Sequence, residues 1–228
     1  MRITTLVLTA ALAAATSLTA TSTAAQDADR SVANGGIKVA GWLGRIDRRA
    51  ISQGKTINDS RFVAEGGGFR ISAGPAGNFW NPANTVSGDY EVMGTFKEHK
   101  MVASHPHSFG LFVGGADLQT DNETLMYCIV YGTGKYSIKT FHGAKVTTLV
   151  DGEASEAVHK ADANGMSTNT ISWRVRGGQA SCVINGTVVK SLPRAEFIAA
   201  DRLTSTDGGY GIRVSHNLEI TVTGIMKH

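Results

Sequence analysis

Beyond its first two dozen residues the chain has no apolar run near the roughly 20 residues that cross a bilayer. It also lacks the long, charge-flanked periodic stretches that make helices. The first absence excludes a helical membrane span in the body of the protein, and the second excludes a βαβ rhythm. No charge of one sign dominates: 22 Lys and Arg face 19 Asp and Glu, for a formal net charge of +3. The basic residues are scattered, and the one dense cluster, Arg45, Arg48 and Arg49, reads as a solvated face. Without a basic stripe and interleaved aromatics there is no nucleic-acid footprint. Nor is there a G-x-S-x-G elbow, an H-E-x-x-H pair or a repeat of fixed period. Gly132-Thr133-Gly134-Lys135 has the wrong glycine spacing for a phosphate loop and is followed by Tyr136.

What is present begins with Met1-Arg2, an apolar and small-residue stretch to about Ala20, and Thr23 and Ala25 set two apart before Gln26-Asp27. This is the order of a secretory signal, so residues 1–25 are expected to be removed after Ala25, leaving the protein secreted or periplasmic. Both cysteines lie far downstream, so no lipid-attachment cysteine accompanies the signal. Residues 26–35 read as a flexible leader. Residues 36–228 form one domain, long enough to bury about 70% of its unfolded surface.

Within that domain 27 glycines against 4 prolines punctuate short apolar segments. Around 90–97, 171–176, 210–215 and 218–223 apolar and polar residues alternate, the period of half-exposed antiparallel strands. Residues 109–113 and 125–131 are apolar on both faces and read as central strands covered on both sides. Residues 37–46 read as a first strand carrying Trp42. Gly177-Gly178 and Asn185-Gly186 join three strands into a meander over 169–190, because both central positions of such turns need positive φ. Residues 194–200, after Pro193, allow a helical turn; 151–168 and 201–209 read as loops. The fold class is therefore all-β, a two-sheet antiparallel jelly-roll sandwich with at most one short helical turn.

The order of several segments carries a resemblance: Gly88-Asp89-Tyr90-Glu91-Val92, then Ser108-Phe109-Gly110-Leu111-Phe112-Val113-Gly114-Gly115, Asn169-Thr170-Ile171-Ser172-Trp173, Cys182-Val183-Ile184-Asn185-Gly186 and Gly208-Gly209-Tyr210-Gly211-Ile212. It resembles the concanavalin A-like lectin/glucanase superfamily over about residues 36–227, and within it the 3-keto-disaccharide hydrolase-type domains. The resemblance implies two curved sheets with ligands held on a concave face or at a loop rim. It says little about chemistry. The E-x-D-x-x-E triplet of laminarinase-like members is missing, which argues against a retaining glycosidase of that type, whose mechanism needs two carboxyls about 5 Å apart.

Candidate site residues each admit two readings. Trp80 and Asn81, in a Gly/Pro/Asn-rich stretch, offer a sugar platform and a hydroxyl partner, or Trp80 plugs the core from a loop. Trp173 reads as core. His105 and His107, separated by Pro106, point to one face of an extended chain, and with His216 form a zinc site if their strand ends meet; otherwise all three are exposed. Asp117 and Asp121 lie in an oxygen-rich loop suited to a rim Ca²⁺, or in a solvated acidic turn. Cys128 and Cys182 form a disulfide, or are two small buried hydrophobes. Three functions follow: an exported protein binding glycan or a sugar-like ligand, a hydrolase or lyase of the 3-keto-disaccharide type, and a structural envelope component. No cofactor beyond the Ca or Zn candidates and no oligomeric state is specified.

Overall fold

A computed structural model describes residues 28–228. In chain order it has β1 (Gly36–Ile37), β2 (Leu43–Ile46), α1 (Arg48–Ser52), a 3₁₀ turn (Ile57–Asp59), β3 (Arg61–Glu65), β4 (Gly68–Ser72), β5 (Gly77–Val86), β6 (Tyr90–Glu98) and β7 (Ser108–Ala116). There follow β8 (Thr124–Tyr131), β9 (Lys135–His142), β10 (Lys145–Ala154), β11 (Ser167–Arg176), β12 (Gln179–Ile184), β13 (Thr187–Pro193), α2 (Arg194–Phe197), β14 (Gly208–Val214) and β15 (Glu219–Lys227). Eight strands pair as β1-β3-β4-β15-β6-β11-β12-β13 and seven as β10-β9-β8-β7-β14-β5-β2. Neighbours are antiparallel except for the short β1–β3 pair. The expected jelly-roll sandwich is the fold.

Alternation decides what lies between the sheets. Phe109, Leu111 and Val113 of β7, Met126, Cys128 and Val130 of β8, and Val92, Phe96, Ile171 and Trp173 of the larger sheet are fully buried in one cluster. Links across the layers include an indole hydrogen bond, a disulfide and the Tyr136 hydroxyl donating to the Val189 carbonyl at 3.1 Å. The Trp173 indole N–H donates to the Leu111 carbonyl at 3.2 Å. Cys128 and Cys182, left open by the sequence, form a disulfide with Cα atoms 6.3 Å apart, joining β8 to β12. The intervening faces of Phe112, Leu125, Tyr127 and Ile129 point away from the larger sheet, yet they too are buried. Residues 109–113 and 125–131 are thus covered on both sides, as their composition requires.

Several expectations need correction. The run 37–46 is two strands in different sheets: the chain turns at Gly41, φ +77°, closed by the Trp42 N–H to the Val39 carbonyl. The stretch around Trp80 is no loop but the ten-residue β5. Helical structure exceeds one turn, since α1 and the 3₁₀ turn join α2. A single helical turn has too few residues to show a period, which is why α1 was not legible. The proposed signal and the first residues of the leader lie outside the described residues. Residues 28–35 are fastened rather than loose. Arg30 donates from its backbone to Asn217 Oδ1 at 2.9 Å, and from its guanidinium to the carbonyls of Ala73 and Leu218 and to Glu219.

Candidate functional site

Strand β5 places consecutive side chains on opposite faces. Phe79 enters the core between the sheets, so Trp80 turns outward and packs with Phe112, Leu118 and Tyr127. Trp80 is 4% exposed and forms one wall of an open cleft of about 500 Å³. Pro82, Thr85, Gln119 and Thr120 complete the walls. Gly115, Gly208 and Gly209 line it too, where β7 and β14 approach closely: a Cβ at Gly208 would stand 2.6 Å from the Gly115 carbonyl oxygen, and its φ is +134°. Asn81 goes the other way, into a separate cleft with Trp42 and Phe69. The sequence pair Trp80 and Asn81 is therefore divided between two sites.

Asp117 borders the Trp80 cleft in a tight turn, with φ +52° and its carbonyl accepting from the Thr120 N–H at 2.8 Å. Asp121 does not join it. Asp121 pairs with Arg45 and stands 3.6 Å from Arg48. Glu123 accepts from Arg45 at 3.0 Å and from Asn78 at 3.3 Å, and burial raises its carboxyl against the pull of Arg45. The arginine cluster read as a solvated face is thus in part an internal counter-charge for the β7–β8 loop. The side chain of Arg45 is 11% exposed.

The same outer face of the seven-stranded sheet holds Arg213, 6% exposed. Its guanidinium donates to both carboxylate oxygens of Asp47, at 2.5 and 2.7 Å, and lies 5.2 Å from the Tyr127 ring centre and 5.0 Å from that of Phe141. Burial pushes the Tyr127 hydroxyl up to about 12. This face is filled by the protein's own aromatic rings and a charge network. Sequence alternation assigns Arg213 to solvent, because Tyr210, Ile212 and Val214 face the core. The available signal was the two-sided apolar composition of 109–113 and 125–131, which requires a cover.

Of the three candidate histidines, His107 and His216 meet and His105 stands apart. His216 Nδ1 lies 2.8 Å from Asp29 Oδ1; a carboxylate only accepts, so Nδ1 carries the hydrogen. His107 is buried and meets the His216 ring edge-on, with centres 4.6 Å apart. His105 is exposed in a turn closed by its N–H to the Val102 carbonyl. Pro106 does not hold the two residues to one environment. Among the described residues, no group of three or more His, Cys, Asp or Glu side chains has the placement to hold a metal ion.

No family model matches the chain, and no curated protein matches it. Solved structures do match. A carbohydrate-binding module from Bacillus subtilis aligns over 85% of this chain and 99% of its own, at 9% identity and a TM-score of 0.56. A Bacillus subtilis protein of unknown function with a galectin-like fold aligns over 82% of this chain and 88% of its own, at 13% identity and a TM-score of 0.57. At such identities the likeness is one of fold. It agrees with the two-sheet jelly-roll sandwich seen in the strand order.

Proposed function

We propose that this domain is an exported glycan-binding module and that the Trp80 cleft takes the ligand. The carrying observation is the cleft's make-up: a largely buried indole in one wall, Gly115, Gly208 and Gly209 along it, and two side chains that donate and accept, Thr85 and Gln119. Sugars present that mixture of C–H faces and hydroxyls. The likeness in fold to a carbohydrate-binding module supports the reading, and the Cys128–Cys182 bridge supports an oxidising compartment outside the cytoplasm. A glycan array followed by calorimetry on each hit tests it. Gln119→Ala and Trp80→Phe are expected to weaken a genuine hit by about tenfold or more, with the melting temperature as a folding control. Affinity untouched by both variants, or an array without hits, overturns the assignment. Recovery of the glycan intact separates binding from turnover by a hydrolase of the 3-keto-disaccharide type.

A further inference from the structure

The Trp80 cleft holds one charge without a counter-charge. Of the residues that line it only Asp117 is charged; no Lys, Arg or His joins it among the described residues. Asp117 stands where the β7–β8 loop turns, at φ +52°. Its backbone carbonyl is used within the turn, accepting from the Thr120 N–H at 2.8 Å and from the Thr120 hydroxyl at 3.1 Å. The Thr120 hydroxyl in turn accepts from the Asn122 N–H at 3.1 Å. What the turn leaves over for a ligand is the Asp117 carboxylate, on an exposed residue to which no described group donates.

The other carboxylates of the same loop are treated differently. Asp121 pairs with Arg45 and stands 3.6 Å from Arg48, and Glu123 accepts from Arg45 at 3.0 Å. The loop's arginine partners are thus taken up at its β8 end, and none reaches Asp117. Asp207, the chain neighbour of Gly208, adds a second negative charge on this side. It accepts from the Gly88 N–H at 3.0 Å and forms no ion pair among the described residues.

A cleft whose walls carry one sign of charge concentrates ligands of the other sign and turns away its own. A carboxylate only accepts hydrogen bonds and an ammonium only donates them, so the two are matched in bonding as well as in charge. The neutral groups beside it, Thr85 and Gln119, serve hydroxyls in either direction. Together these select a polyhydroxylated ligand with a positive charge, and they disfavour uronic acids and sulfated sugars.

We propose that the ligand of the Trp80 cleft is an amino sugar, a hexose unit whose free ammonium pairs with Asp117. This rests on the glycan-binding reading and narrows it. Calorimetry on the full chain with short glucosamine oligomers and with their N-acetylated counterparts tests it, because the two differ only in whether the nitrogen is charged. In weakly acidic buffer at low salt the glucosamine oligomer is expected to bind about threefold more tightly, the factor an exposed ion pair supplies, and to lose that advantage as salt is raised. Asp117→Asn is expected to abolish the preference while leaving the N-acetylated oligomer within about twofold of its original affinity. The variant is expected to fold as the parent does, since Asn adopts positive φ as readily as Asp and the turn is closed through the backbone carbonyl. Gln119→Ala is expected to weaken both oligomers alike and to leave their ratio unchanged. Equal or tighter binding of the N-acetylated oligomer, a preference that survives Asp117→Asn, or an equal loss for both oligomers in that variant overturns the inference. Where other glycans bind the cleft and glucosamine oligomers do not, the glycan-binding reading stands and this inference alone falls; where no glycan binds, both fall.

Discussion

Trp80 and Asn81 are consecutive in the chain and line different clefts, Trp80 with Thr85 and Gln119, Asn81 with Trp42 and Phe69. Only Trp80 is therefore placed to act in the proposed glycan site. Asn81→Ala is expected to leave glycan affinity unchanged in calorimetry. Its cost is to stability, about 1 kcal/mol, because Asn81 Oδ1 accepts from the Ala83 N–H at 2.9 Å. A loss of affinity matching that of Gln119→Ala would show that the two clefts act together.

The Arg213–Asp47 pair sets a second expectation. Truncating one partner leaves the other charge unpaired, most severely Arg213 against the Tyr127 and Phe141 rings, so Asp47→Ala costs about 3–5 kcal/mol in denaturant unfolding and Arg213→Met less, because the Asp47 side chain is 27% exposed. Removing both costs clearly less than the two losses added, because neither charge is left behind. Additive losses would mean that the pair does not interact as the geometry indicates.

Glu98 sets the pH dependence. It is 1% exposed, accepts from Ser167 at 3.3 Å, and lies under Gly132, where a Cβ would come within 2.5 Å of its carboxylate. Burial raises it from an ordinary 4.5 to about 7. Between those values the folded protein holds a proton that the unfolded chain has released. This contribution is complete below pH 4.5, shrinks as pH rises, and is gone above 7, on the order of 3 kcal/mol across the window. Glu98→Gln is expected to flatten the melting-temperature profile between pH 5 and 7. An identical slope in the variant would remove Glu98 from the account.

The disulfide sets the fourth. It closes a loop with a sequence separation of 54 between strands of opposite sheets. Loop-closure entropy for a ring of that size amounts to about 4 kcal/mol, and measured bridges commonly deliver about 2–4. The double variant Cys128→Ala, Cys182→Ala is expected to unfold at lower denaturant by that amount while keeping a native far-ultraviolet spectrum. Equal midpoints would make the bridge dispensable.

The larger features of the fold were legible because alternation and turn chemistry are local. Asn185, at φ +49°, and Gly186, at φ +83°, adopt the turn their residue types demand. Trp173 is core because its neighbours in an alternating run leave it no other face. The sites were less legible because they are made by long-range meetings. Asp29 meets His216 across a sequence separation of 187, and Asp47 meets Arg213 across 166. Neither residue of either pair carries a local signature of its partner. The division of Trp80 from Asn81 was within reach of period-two reasoning, but the Gly and Pro residues around them obscured the strand.

The link between Cys128 and Cys182 also governs how the chain yields to force. A load applied at its two ends passes through the bridge and bypasses the residues between the cysteines. Fully extended, a separation of 54 residues would span about 190 Å. That length stays unavailable to stretching until the bridge is reduced. A pulling experiment run with and without reductant is expected to show two contour lengths differing by nearly that amount.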